Sequence, residues 1–265
     1  YEQVYLWETQ TRNGVTTVYD SNWNQVGKPQ ASLDALTALE DASSSDQGIV
    51  DSAESLELLF GSNLNFLLVN TWEGDAQNGN SGKEYSIFDS AGSKLGTMNV
   101  NEGRWTDDRT GEVYRSINIG FNSIDEDGNW EWLGGSWKNY DSSDFLRDSG
   151  SNTRSTATVD STFLDGVPSE LVDTLDDYSE VVVEVGTNTW IGQGVTRTSL
   201  FTRYFVEVGS NEIFVGGTDT QDGVTRTVDG SWNQLGQPTV DTTDLPTIGA
   251  ADYTATYGNA EKVLA

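Results

Sequence analysis

Apolar and polar residues alternate in short runs along most of this chain, the two-residue period of half-buried β-strands. Glu112 to Asn122 is the cleanest case, with Val113, Ile117, Ile119 and Phe121 as the apolar members. Asn65–Trp72 (NFLLVNTW), Val181–Val185 and the stretch from Gly194 to Val208 read as further strands. The period changes in only a few places. Leu33, Leu36 and Leu39 behind Ser32, then Ala53, Leu56, Leu59 and Phe60 ahead of Gly61, predict two short helices within 32–60. Leu171, Val172, Leu175 and Tyr178 after Pro168 predict another over 167–178. Residues 139–162 are rich in Ser, Thr and Asp without a period, and read as a long connector. Ala260 to Leu264 reads as a helical end.

One stretch is written twice. Thr9 to Pro29 reads TQTRNGVTTVYDSNWNQVGKP, and Thr218 to Pro238 reads TDTQDGVTRTVDGSWNQLGQP. The offset is 209 residues (218 − 9), without a gap, and 11 of 21 positions are identical. Such a repeat has to be settled before any fold is assigned. Asn13-Gly14 is a strong hairpin signal, and Asp20-Ser21-Asn22 is turn chemistry. Each copy therefore reads as a short β-meander. FDSAGSKLG at 88–96 and the aspartate turn before Trp130 look like weaker echoes. VEVGTN at 183–188 and VEVGSN at 206–211 form a second echo. The last 56 residues (265 − 209) fall in the same frame as the first 56.

The expected fold is mainly β with a few short helices: antiparallel meanders built from degenerate internal repeats, sandwich- or solenoid-like. Two units are expected. Residues 1–150 would hold the two short helices (32–60), and 151–265 would hold the second copy (218–238) of the opening meander. The chain starts inside strand-like sequence at Tyr1, so it reads as part of a longer precursor.

Charge narrows the partners. Forty-two acidic against 14 basic residues give a net −28, which repels nucleic acid and anionic lipid and attracts cations. No apolar run approaches the roughly 18 residues of a membrane span, so no membrane insertion is expected. There is no histidine and no cysteine. That removes the usual nucleophilic triads and the ligands of zinc, copper and haem sites. No phosphate-binding glycine loop occurs. The many carboxylates single out no pair for glycoside hydrolysis, so no catalytic residue is named and no enzyme is expected.

Calcium is the cofactor this composition favours, because it takes carboxylate and carbonyl oxygens. Asp125, Asp127 and Asn129 are the candidate ligands. They do not fit the twelve-residue helix–loop–helix spacing, and they also read as an exposed Asp-Gly turn. Asp20, Asp89 and Asp229 read as bonding their own turn backbones. Trp23 and Trp232 recur at one position of the repeat and read as packing residues. Trp130 and Trp132 lie two apart on one strand and so share a face, the geometry of a sugar-stacking platform and equally of a packed sheet.

The phrasing NGVTTVYDSNWNQVG and DGVTRTVDGSWNQLG, in an acidic cysteine-free chain, resembles repeat segments of large bacterial secreted surface proteins of the RTX and adhesin type. The likeness is one of repeat style, and the glycine–aspartate nonapeptides of the RTX type are missing. It implies an extracellular or cell-surface location and calcium dependence. The expected function is a structural, self-associating or adhesive module, such as a filament or matrix subunit assembling end to end or by strand exchange. Its partner would be another copy or a surface glycan. The alternatives are a carbohydrate-binding module of a secreted protein and, more remotely, a polysaccharide-active enzyme.

Overall fold

The computed structural model describes residues 7–39, 41, 47–74, 79–192, 194–209 and 211–240. The expected helical end at Ala260–Leu264 and the first residues of the opening strand lie outside these. The chain is mainly β, in two sheets. The small sheet holds β1 (Trp7–Arg12), β2 (Val15–Asp20) and β3 (Gln30–Ala31). The large one runs from β4 (Thr37–Ala38) to β15 (Gln234–Val240) as one antiparallel meander. Every strand pairs with its sequence neighbours, and the sheet is not closed into a barrel.

Its first half is β5 (Asn65–Trp72), β6 (Asn80–Phe88), β7 (Lys94–Thr106), β8 (Val113–Ile124) and β9 (Trp130–Tyr140). Helix α1 (Gln47–Phe60) covers one face of these strands. Its Ile49 and Leu56 are buried against Phe66, Tyr85, Ile87, Met98 and Phe121. Gly61 ends the helix at φ +87° while its N–H still reaches the Glu57 carbonyl at 2.9 Å. The second half is β10 (Leu146–Thr158), β11 (Glu180–Gly192), β12 (Val195–Val208), β13 (Asn211–Gln221), β14 (Val224–Asp229) and β15. Helices α2 (Ser161–Asp165) and α3 (Ser169–Leu175) cover it, burying Leu171 and Leu175 against Val181, Tyr204 and Val206. Asp160 caps α2 by accepting the Phe163 N–H at 2.8 Å.

Strand register puts both helical layers on the same side of the sheet. Phe121 of the first core pairs with Gly134, Gly134 with Thr153 and Thr153 with Val185, whose face carries Val183 and Val181 of the second core. On the opposite side, the small sheet lies over β5–β7. The amide of Asn13 donates to the Val69 carbonyl at 3.3 Å, and a cleft between the layers is lined by Gln10, Thr17, Tyr19, Glu84 and Lys94. The sandwich-like layering is therefore local to this end.

Two expectations need correction. The helix expected behind Ser32 is interrupted: Leu33–Ala35 make a 3-10 turn, and helical backbone returns only at Leu39 and Asp41. Ser32 makes no side-chain cap bond, and the chain turns extended at Leu36 to pair Thr37 with Phe66. An edge pairing there outweighs three leucines that lack a full helical face. Residues 139–162 are not a connector. They hold the end of β9, a tight turn at Asp141–Phe145, all of β10 and the start of α2. The expected boundary between 150 and 151 thus falls inside β10, and the sheet is continuous across it.

Candidate interaction surfaces

The two copies of the repeat fold alike. Arg12 pairs with Val15, and Val15 with Ala31; 209 residues on, Gln221 pairs with Val224, and Val224 with Val240. The bridge Tyr19–Gln25 recurs as Val228–Gln234. The hydroxyls of Thr11 and Thr16 lie 2.8 Å apart, and those of Thr220 and Thr225 2.7 Å. Their settings differ. The first copy is a separate layer over β5–β7, whereas the second is the end of the large sheet.

The aspartate turns are one local structure used five times. Asp20, Asp89, Asp125, Asp141 and Asp229 each accept, on Oδ1, the backbone N–H groups two and four residues on. The fourth residue of each turn has positive φ: Trp23, Gly92, Gly128, Asp144 and Trp232. The echoes near 88–96 and 125–135 are copies of this turn. The copy at Asp141 shares Tyr140-Asp141-Ser142 with Tyr19-Asp20-Ser21 and lacks the Trp-Asn-Gln wording that follows.

Asp125, Asp127 and Asn129 sit together in one such turn. Asp125 Oδ1 accepts the N–H of Asp127 and of Asn129, and its Oδ2 accepts the Asn129 side-chain amide at 2.8 Å. These bonds hold the Asp125 carboxyl below its ordinary range, the Asn129 side-chain amide contributing most. Both carboxylate oxygens are thus engaged by the turn itself. Among the described residues, no three acidic side chains group closely enough to hold a metal ion.

Trp130 and Trp132 lie on one face of β9, 52% and 40% exposed. Each ring already carries a cation. Lys94 Nζ is 5.0 Å from the Trp130 ring centre, and the Arg154 guanidinium is 5.4 Å from that of Trp132. Burial pushes the Lys94 amine below its ordinary value, opposed by the charge of Glu84. Trp23 and Trp232, expected as packing residues, are exposed at their turns. Trp232 stacks on Phe214 at 4.5 Å between ring centres, with Arg203 above it at 5.6 Å.

A row of charges on the same face escaped the sequence reading. Arg154, Glu184 and Arg203 are direct cross-strand neighbours on β10, β11 and β12. Glu184 is buried and lies 3.4 Å from Arg203 and 3.8 Å from Arg154, and it accepts the Asn152 amide at 3.2 Å. Arg154 also reaches Glu212 at 2.5 Å. The available signal was a single glutamate inside the valine run VVVEV. Phe201 and Phe205 flank this row beneath the guanidiniums. The row is a cross-strand ionic ladder with aromatic flanks in which the buried Arg154 Nε has no hydrogen-bond partner among the described residues.

No helix among the described residues is long and apolar enough to cross a membrane. No protein-family model matches the chain, and neither a curated protein nor a solved structure matches it significantly.

Proposed function

We propose that the chain is a structural, self-associating module of an extracellular bacterial surface protein. One observation carries this reading: the same hairpin, in the same register, is folded twice, covered by the sheet in one place and uncovered among the described residues in the other. A fold that already packs this hairpin on itself has the surface chemistry to pack it on a neighbour. The acidic remainder of the surface keeps assemblies solvated. The test is sedimentation and negative-stain microscopy of the full chain over a wide concentration range, with and without calcium. Concentration-dependent dimers or filaments support the reading, and strictly monomeric particles under every condition refute it.

The second reading, a carbohydrate-binding module, draws on the half-exposed rings of Trp130 and Trp132 on one face. Glycan-array binding lost in a Trp130→Ala, Trp132→Ala variant supports it. No binding to any glycan removes it.

A further inference from the structure

Besides Tyr19, whose counterpart Val228 does not line the second copy's cleft, the hairpin side of the cleft between the small sheet and β5–β7 is formed by five residues: Gln10, Arg12, Asn13, Val15 and Thr17. Adding 209 to each gives Asp219, Gln221, Asp222, Val224 and Arg226. These five, with Arg197, line an open cleft of about 240 Å3 on β12–β14. The face used for packing in the first copy is therefore kept in the second and left uncovered among the described residues. At the central facing pair Gln10 and Thr17 are half-buried while Asp219 and Arg226 are exposed; Val15 and Val224 are both half-buried, Asn13 and Asp222 both exposed, and Arg12 is exposed where Gln221 is half-buried.

Chemistry differs between the copies in a directed way. Gln10 and Thr17, which face each other across β1 and β2, are neutral. Asp219 and Arg226, which face each other across β13 and β14, are an acid and a base. Asn13 becomes Asp222, and Arg197 joins from β12. Two bases and two acids give this face no net charge on a chain of net −28. A face without net charge spares two such acidic chains part of their mutual repulsion. None of these four has an ion-pair partner within 4.0 Å among the described residues.

We infer that the β13–β14 face is the contact through which two copies of this chain pair about a two-fold axis. The inference rests on the self-association proposed above and assigns it a surface. A two-fold axis lying in the interface, parallel to β13 and β14 and passing between Asp219 and Arg226, sets each over the opposite residue of the second copy. Two interchain charge contacts follow from this acid–base pair, with Asp222 and Arg197 at its margin. Val224 and the exposed ring of Trp190 beside Arg197 supply apolar contact around them.

The test is sedimentation equilibrium of the full chain in four forms: unaltered, Arg226→Glu, Asp219→Arg, and Asp219→Arg with Arg226→Asp. The unaltered chain dimerises. Either single reversal weakens dimerisation about tenfold or more, because it sets like charges against each other across the axis. The double reversal rebuilds the complementary face and restores it. Circular dichroism of each variant confirms the fold, and the double variant keeps its own cross-strand pair. Association that ignores the single reversals overturns the inference and leaves self-association standing on another surface. A chain that never associates overturns both. A glycan-array signal lost in Arg226→Glu, with association unchanged, gives the face to a sugar and likewise overturns the inference.

Discussion

Asp229 binds Asn233 twice: one carboxylate oxygen accepts its backbone N–H at 2.8 Å and the other its side-chain amide at 3.0 Å. Asp20 holds Asn24, and Asp125 holds Asn129, in the same way. Each of these carboxyls is held below its ordinary value of 3.8. The asparagine side-chain amide contributes most at Asp125 and Asp229, and the Asn24 backbone N–H contributes most at Asp20. Folding therefore favours the ionised form of all three. Their contribution to stability is complete above the ordinary carboxylate range and is lost as pH falls through the lowered values. The remaining carboxylates act in the opposite sense where they repel one another, so a comparison with variants is needed. Urea denaturation of the chain and of an Asp20→Asn, Asp125→Asn, Asp229→Asn variant should be followed from about pH 2 to pH 6. The difference in stability between the two narrows as pH falls below 3.8; a constant difference would contradict this account.

Close approach of a tryptophan makes a second prediction. Gly150 on β10 lies beneath Trp137 of β9. A β-carbon there would sit 2.2 Å from the Trp137 ring and 2.4 Å from the Thr187 carbonyl oxygen of β11. The ring can rotate away, but the carbonyl belongs to the ladder. Gly150→Ala therefore destabilises by about 1–3 kcal/mol, the usual cost of overpacking. Adding Trp137→Leu recovers only part of it. Urea unfolding of the single and double variants measures both effects, and full recovery would show that the ring alone was in the way.

The two turn tryptophans present a conflict between backbone and side chain. Trp23 and Trp232 sit at φ 67° and 65°, where a side chain costs roughly 1–2 kcal/mol relative to glycine. Trp232 offsets this by stacking on Phe214, a contact of about 0.5–1.5 kcal/mol. Trp23 makes a tilted ring contact to Tyr19, with centres 6.1 Å apart. Trp232→Gly should then be close to neutral in stability, and Trp232→Ala clearly destabilising, since alanine loses the stack and keeps the strain. Thermal melts of the two variants rank them; an alanine variant as stable as the glycine one would remove the backbone argument.

Much of the local structure was legible because it depends on short-range chemistry. The Asn13-Gly14 hairpin, the Asp20 and Asp229 turns and the Gly61 helix stop each follow from a few adjacent residues. β10 was hidden for a physical reason. It lies between the two cores, with most of its residues half-buried and none fully buried, so no face needed an apolar row. Repeated wording could also mislead. In VEVGTN the glycine, Gly186, is mid-strand beneath Phe201, whereas in VEVGSN Gly209 turns a hairpin at φ 68°. The charge row at Arg154, Glu184 and Arg203 needs three strands in register, which no local pattern encodes.

The two cores test whether the continuous sheet behaves as one body. Leu56 is fully buried in the first cluster and Leu171 in the second, and the clusters share no member. Each leucine-to-alanine change costs about 2–5 kcal/mol, the transfer of the lost methyls plus the cavity left behind. With no common partner, the two losses should add to within a few tenths of a kcal/mol in the double variant. Cooperativity is a separate matter, set by the β9–β10 ladder, which runs from Leu146–Tyr140 to Thr153–Gly134. That ladder couples the halves, so tryptophan fluorescence and circular dichroism should report one coincident transition in the unaltered chain. Leu171→Ala should then lower that single midpoint as a whole. If it instead produced an early transition confined to the second half, with the α1 core melting later, the ladder would be too weak to join them, and residues 1–150 and 151–265 would fold as separate units.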